Sequence, residues 1–366
     1  VWYDVVDMGH EPENYFEASA SSMLVYTLAK GVRLGYLPET YLRPAERGYK
    51  GILKEFVTPR DDGGINLEGT VMVSGLGGTG RYRDGSFAYY MSEPVIQNDP
   101  KGIGAFIKCA AEMEMLSSLK QAKGKTVVLD YYYNNEYRSD ATGREVRYHY
   151  TWEDQSNGGY SFLGHIFNRY GAKTEWLGTR PGAATLSNAD VYVIVDPDTE
   201  KETASPNVLE KPEIDAIEEW VRQGGVLVLL GNDAGNADFT HFNQLAGRFG
   251  IQFNEDSELL VKQNNFAQGS VQLQAGNKVF KKPYTLFLKE VSTLSLSAKA
   301  KPLVVHDGKT LMATAKYGKG TVFALGDPWI YNEYIDGRKL PVEFQNYEAA
   351  TAWVKWLLNQ SASRAK

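Results

Sequence analysis

Residues 74–94 read SGLGGTGRYRDGSFAYYMSEP, and their interpretation decides the fold of the first third of the chain. Gly75, Gly77 and Gly80 spell the G-x-G-x-x-G pattern that cradles a dinucleotide when it sits between a strand and a helix. Val71-Met72-Val73 before it is compatible with a strand, but Arg81-Tyr82-Arg83-Asp84-Gly85-Ser86 after it is loop chemistry. The preceding segments carry helical periodicity, so no parallel strand–helix–strand unit surrounds the glycines. There is no G-K-[ST] and hence no P-loop. What remains is a glycine-rich loop that presents Arg81, Tyr82, Arg83, Asp84, Phe87, Tyr89 and Tyr90. Guanidinium groups bind carboxylates bidentately, and tyrosines stack on rings and hydrogen-bond their hydroxyls. That combination suits an acidic sugar. The plain alternative is a surface loop in which Arg83 pairs with Asp84.

Helical signals flank this loop. A helix is expected from about Asn14 to Leu34, with the small residues Ala18–Ser22 in its first half. A second is expected from Ala45 to Phe56, and a third opens at Asn98-Asp99-Pro100, a cap followed by proline at the first helical position. Asp61-Asp62-Gly63-Gly64 reads as a turn between short extended pieces. After Lys123-Gly124 the pattern changes. Apolar strands are expected at 126–130, 191–195 and 226–230, alternating with helices at 159–170, 212–223 and 239–249. Such alternation argues a parallel, doubly wound sheet. Residues 255–325 are richer in strand signals, and a last amphipathic helix covers 347–359. The expected division is therefore 1–122 and 125–362.

The 366 residues suit two domains, each able to bury a core. A hydrophobic fraction of 43% with 23% charged residues is that of an ordinary globular chain. The net charge of −6 argues against a nucleic-acid partner or an anionic membrane surface. No apolar run is long enough to span a membrane. The single cysteine, Cys109, rules out an internal disulfide and a cysteine-based zinc site. The chain opens on Val1 with no methionine and no leader, which reads as a start in mid-domain.

The run NYFEASASSMLVYTLAKGVRLGYLP (14–38), with the glycine loop and YMSEPVIQNDPKGIGAFI (90–107), resembles glycoside hydrolase family 105, the unsaturated rhamnogalacturonyl or glucuronyl hydrolases related to family 88. The resemblance implies the C-terminal part of an (α/α)6 barrel. It also implies hydration of the double bond of a 4,5-unsaturated uronic acid by an active-site aspartate, with no metal or organic cofactor. The helices expected to carry that aspartate lie upstream of Val1, so no catalytic residue is assigned, and those helices are an expected partner. Tyr89 matches a tyrosine that lines the sugar pocket; Arg83, Tyr90 and Trp2 are further substrate-binding candidates. The implied partner is an oligosaccharide ending in the unsaturated uronic acid. A periplasmic or secreted bacterial location is favoured over a cytoplasmic one.

Residues 125–360 resemble a class I glutamine-amidotransferase-like domain, through WVRQGGVLVLLGND (220–233), VYVIVDPD (191–198) and GKGTVFALGDPW (318–329). No cysteine lies in this part, so thiol glutaminase chemistry is excluded. Asp130, Asp196, Asp233 and Asp327 all follow apolar strands, where the crevice of an open sheet lies. His149, Trp152, Glu153 and Asp154 are expected nearby. Together they suit a sugar or a hard cation such as calcium; equally, aspartates end strands because they suit turns and caps. The rival to an enzyme is a non-catalytic carbohydrate-binding or scaffolding protein that retains part of the barrel.

Overall fold

In the computed structural model, residues 1–335 and 337–361 are described. The chain divides into two compact units between Lys120 and Gln121.

The first unit is built on helices α1 (Ala18–Arg33), α2 (Leu42–Glu55) and α4 (Pro100–Ser118), with the short α3 (Phe87–Met91) between them. Ala18, Val25, Ala29, Ala45, Ile52, Phe106 and Cys109 form their shared core. Small residues on α1 permit the close approach: Ser21 and Ser22 are fully buried. Asp99 caps α4 by accepting from the Lys101 amide at 2.8 Å, with Pro100 at its first turn. Two antiparallel ladders complete the unit. Strand β1 (Val57–Pro59) pairs with β2 (Ile65–Leu67), and β3 (Thr70–Val71) pairs with β4 (Val95–Ile96). Gly63, at φ +82°, makes the first of these turns possible.

The second unit contains a nine-stranded mixed sheet. Its parallel strands are β5 (Thr126–Asp130), β8 (Lys173–Leu177), β9 (Val191–Val195), β10 (Val226–Leu230) and β17 (Gly320–Leu325). The short hairpin β6 (Tyr137–Ser139) and β7 (Glu145–Arg147) lies between β5 and β8 in the chain. Strands β11 (Ile251–Phe253), β14 (Leu294–Leu296), β15 (Ala300–His306) and β16 (Lys309–Tyr317) extend the sheet antiparallel, while β12 (Ser270–Leu273) and β13 (Tyr284–Phe287) pair separately. The order is β11-β14-β16-β17-β10-β9-β5-β8. Helices cover both faces, because β5, β9 and β10 are apolar on both sides. On one face, α5 (Ser161–Arg169) and α8 (Asn346–Gln360) supply Leu163, Phe167, Trp353 and Leu357. On the other, α6 (Lys211–Arg222) and α7 (Phe239–Arg248) supply Ile217, Trp220, Phe242 and Leu245.

Candidate functional site

In the first unit the segment between β3 and β4 folds back on itself. The Gly77 amide donates to the Arg83 carbonyl at 2.8 Å and the Arg83 amide to the Gly77 carbonyl at 3.0 Å. Gly77 (φ +74°) and Gly78 (φ +113°) form the tight turn this requires. The glycines therefore build a turn, with no strand–helix junction to receive a phosphate.

Asp84 is not the partner of Arg83, against the plain surface-loop alternative read from the sequence. Its carboxylate accepts from the Ser86 amide (2.9 Å) and hydroxyl (2.7 Å), bonds that hold it below the usual carboxylate range. Ser86 in turn accepts from the Tyr89 amide at 3.2 Å and starts α3. The local turn wins because its donors are two residues away and need no long side chain ordered. Arg83 instead faces Glu93: its Nε lies 3.5 Å from Glu93 Oε1, and Arg81 lies 3.9 Å from the same oxygen. Glu93 is buried, whereas the Arg81 and Arg83 side chains are 56% and 32% exposed. Arg81 also donates to Ser92 Oγ. Two guanidinium groups thus share one buried carboxylate at the rim of the loop.

Tyr89 is buried and donates its hydroxyl to the Gly75 carbonyl at 2.6 Å. Its ring lies 4.9 Å from that of Tyr90 and 5.9 Å from the Arg81 guanidinium. Trp2 packs against the helical core, and a Cβ on Gly48 would meet its ring at 2.9 Å. A group missed in sequence is Glu17. It is buried and accepts from the Val71 amide (3.1 Å) and the Ala20 amide (2.5 Å), joining the start of α1 to β3. Beside it, burial and then Asp4, Glu17 and Glu93 raise the Tyr15 phenol, while burial and Glu17 raise Asp4.

In the second unit the chain passes from β5 to β8 on one side and then to β9 on the other. The strand order therefore switches between β5 and β9, the place where open sheets form a crevice. Each of the four strand-end aspartates is held by its own set of hydrogen bonds. Asp130 accepts from the Tyr132 (3.1 Å) and Tyr133 (2.6 Å) amides and from the Tyr192 hydroxyl. Asp233 is half-buried and accepts from Asn236 (2.6 Å) and Ser257 (3.0 Å). Asp327 accepts from the Lys289 (3.1 Å) and Trp329 (2.7 Å) amides. Asp196, at φ +44°, accepts from Asn232 Nδ2 at 2.8 Å. Asp196 and Asp327 both lie near Tyr160. There Trp329 Nε1 donates to the Tyr150 hydroxyl at 3.0 Å and Tyr160 donates to the Pro328 carbonyl at 2.9 Å. Most of these carboxylates order loops, as turn and cap residues do.

His149 pairs with Glu136 at 2.8 Å and is stacked between Tyr148 and Tyr150, away from Trp152 and Glu153 in bonding. Among the described residues no group of three or more His, Cys, Asp or Glu can hold a metal ion. Asp198, not singled out in sequence, is buried just beyond the switch point. It accepts from the Asn135 amide (3.0 Å) and Thr203 (2.5 Å) and lines a cleft of about 360 Å³ with Glu200, Asp238 and His241.

Burial pushes Asp130 and Asp327 up to about 7 and Asp198 up to about 6. The folded unit then holds protons that the unfolded chain releases near pH 4, so stability falls as pH rises through this interval. The melting temperature of the second unit is expected to decline from about pH 4 to about pH 7 and level off above. Thermal scans across this range check it. Asp130→Asn and Asp327→Asn should each flatten the slope, and a melting temperature that rises steadily from pH 4 to 7 would contradict it.

Among the described residues no helix is long and apolar enough to cross a membrane. Residues 1–117 match the model for Glycosyl Hydrolase Family 88. Protein Atu3128 of Agrobacterium fabrum and the 24.9 kDa protein in picA locus of Rhizobium radiobacter are each 36% identical over 122 residues, 32% of this chain and 52% of theirs. The chain thus spans about half the length of these curated relatives. A solved glycoside hydrolase from family 105 of C. acetobutylicum is 54% identical, covering 31% of this chain and 31% of that one, with a TM-score of 0.30. Residues 153–336 match the model for Domain of unknown function (DUF4350). That model covers half of the chain, which therefore belongs to the family described as Domain of unknown function (DUF4350).

Proposed function

We propose that this chain is part of a glycoside hydrolase that removes a 4,5-unsaturated uronic acid from lyase-generated oligosaccharides by hydrating its double bond. The observation that carries the reading is the family match of residues 1–117, a segment that contains the Arg81–Arg83–Glu93 loop. The outer donors of Arg81 and Arg83 suit the uronate carboxylate, and Tyr89 holds the loop through Gly75. In this reading the first unit is the C-terminal part of an (α/α)6 barrel. Asp84, Glu93 and Glu17 are each engaged by neighbours, so the catalytic acid is assigned to other helices of the complete barrel. The second unit is an accessory α/β domain, amidotransferase-like in fold and without a reaction of its own.

The test is turnover by the native protein on a panel of unsaturated uronides, read as loss of the ultraviolet absorbance of the double bond. Arg83→Ala should raise KM about 10- to 100-fold, the range for losing a hydrogen bond to a charged group. Arg83→Lys should fall between the two. The methyl ester of the same substrate should not distinguish variant from wild type. Absence of turnover on every unsaturated uronide would remove the reading. An unchanged KM in Arg83→Ala would remove this residue from it.

A further inference from the structure

The segment 148–154 carries two residues, Trp152 and Glu153, that the strand-end carboxylates leave unused. In the folded unit they meet β8, the edge strand of the large sheet. Trp152 Nε1 donates to the Glu175 carbonyl at 2.9 Å. Together Trp152, Glu153, Thr174, Glu175 and Trp176 line an open cleft of about 370 Å³, within the range of small-molecule sites.

Trp176 is the unusual member. It is 56% exposed, whereas the other six tryptophans are buried or half-buried. An aromatic ring with an open face on an edge strand is the shape that a stacking platform requires. This ring is also held in place. It stacks on Tyr131 at 5.4 Å with an interplanar angle of 8°. Gly178 lies against it, where a Cβ would meet the ring at 2.9 Å. Tyr131 is itself fixed: its hydroxyl donates to Glu153 Oε2 at 2.7 Å and accepts from the Trp152 amide at 2.5 Å. The Arg147 guanidinium, which donates to the Tyr131 carbonyl at 2.8 Å, lies 5.6 Å from the Tyr131 ring. Chained in this way, the platform and the carboxylate beside it are ordered before any ligand arrives, which lowers the entropic cost of binding.

We propose that this cleft is a carbohydrate-binding platform for a neutral pyranoside chain. The flat C–H face of a pyranose ring covers Trp176, and its ring hydroxyls donate to Glu153 and Glu175. The acceptor-rich rim chooses the ligand class. Glu153, Glu175 and Thr174 line the cleft; Lys173 pairs with Glu175 at 2.5 Å, so Glu153, which accepts from the neutral Tyr131 hydroxyl, is the carboxylate that keeps the rim acidic. Hydroxyl donors are accepted there, while a uronate is repelled. The site is thus opposite in charge preference to the arginine loop of the first unit, and it does not depend on the activity proposed for that unit.

The experiment is calorimetry with intrinsic tryptophan fluorescence on the full chain, using cellohexaose, xylohexaose and β-1,4-galactohexaose, with oligogalacturonate as the charged probe. At least one neutral hexaose is expected to bind and to shift the emission. Trp176→Ala should weaken it about tenfold or more, Trp176→Phe should retain part of the affinity, and circular dichroism should be unchanged. Glu153→Gln should narrow the preference for the neutral over the charged probe. Binding of none of the neutral hexaoses, or equal binding by Trp176→Ala, would overturn the proposal. So would sedimentation showing that Trp176→Ala only dissolves a self-association through this edge.

Discussion

Trp353→Ala is expected to destabilise the second unit by about 3–5 kcal/mol, the range for truncating a large buried aromatic residue. Trp353 is fully buried at the centre of α8. Its indole stacks on Tyr331 at 4.1 Å and 10°, meets Phe323 of β17 at 5.3 Å and Phe167 of α5 at 6.3 Å. One side chain therefore joins two helices, the sheet and the turn after Asp327. Its neighbours belong to separate elements that cannot collapse together into the vacated space, so a cavity remains. Trp353 Nε1 has no hydrogen-bond partner among the described residues. Trp353→Phe loses less volume and removes that donor, so its cost should be clearly smaller. Denaturant unfolding of the full chain checks both: the midpoint should fall with the slope unchanged. An alanine variant within about 1 kcal/mol of wild type would show that this aromatic junction is not tightly packed.

Glu112→Ala is expected to have the largest effect in the first unit. Arg33 Nε lies 2.5 Å from Glu112 Oε1, and a second nitrogen lies 3.1 Å from Oε2, a two-pronged contact between α1 and α4. Glu112 is buried and Arg33 keeps 23% of its side chain exposed. The hydrogen bond to Glu112 raises the Arg33 guanidinium further above its ordinary value. Removing the carboxylate strands a largely buried cation, which costs about 3–5 kcal/mol in a closed core. The remaining exposure of Arg33 puts the expected loss at the lower end, about 3 kcal/mol. Arg33→Met with Glu112→Leu should recover most of it, because an apolar pair of similar volume carries no desolvation penalty. Hydrogen exchange of amides in α1 and α4 reports this locally. Equal protection in Glu112→Ala and wild type would reduce the pair to a surface contact in energetic terms.

What was legible in the sequence is what neighbours along the chain decide. Asp99-Pro100 starts a helix because a cap and a fixed φ act within one turn. Thr126–Asp130, Val191–Val195 and Val226–Leu230 are strands because apolar, β-branched runs of five residues suit a sheet covered on both faces. The glycines of 75–80 failed as a nucleotide cradle for an equally local reason, since Arg81–Ser86 is loop chemistry. By contrast, partners brought from far along the chain were decided by the tertiary structure. Arg83 lay one residue from Asp84, yet Ser86 holds Asp84, and the β3–β4 ladder brings Glu93 to Arg83. Four aspartates share a place at strand ends, yet Asp130 bonds Tyr192 while Asp196 bonds Asn232. Trp152 and Trp176 are 24 positions apart and line one cleft only because β8 pairs beside β5. Periodicity and capping depend on a few adjacent residues, so a single chain reveals them. Strand order, register and side-chain partnership depend on which distant surfaces bury each other, and no local pattern encodes that choice.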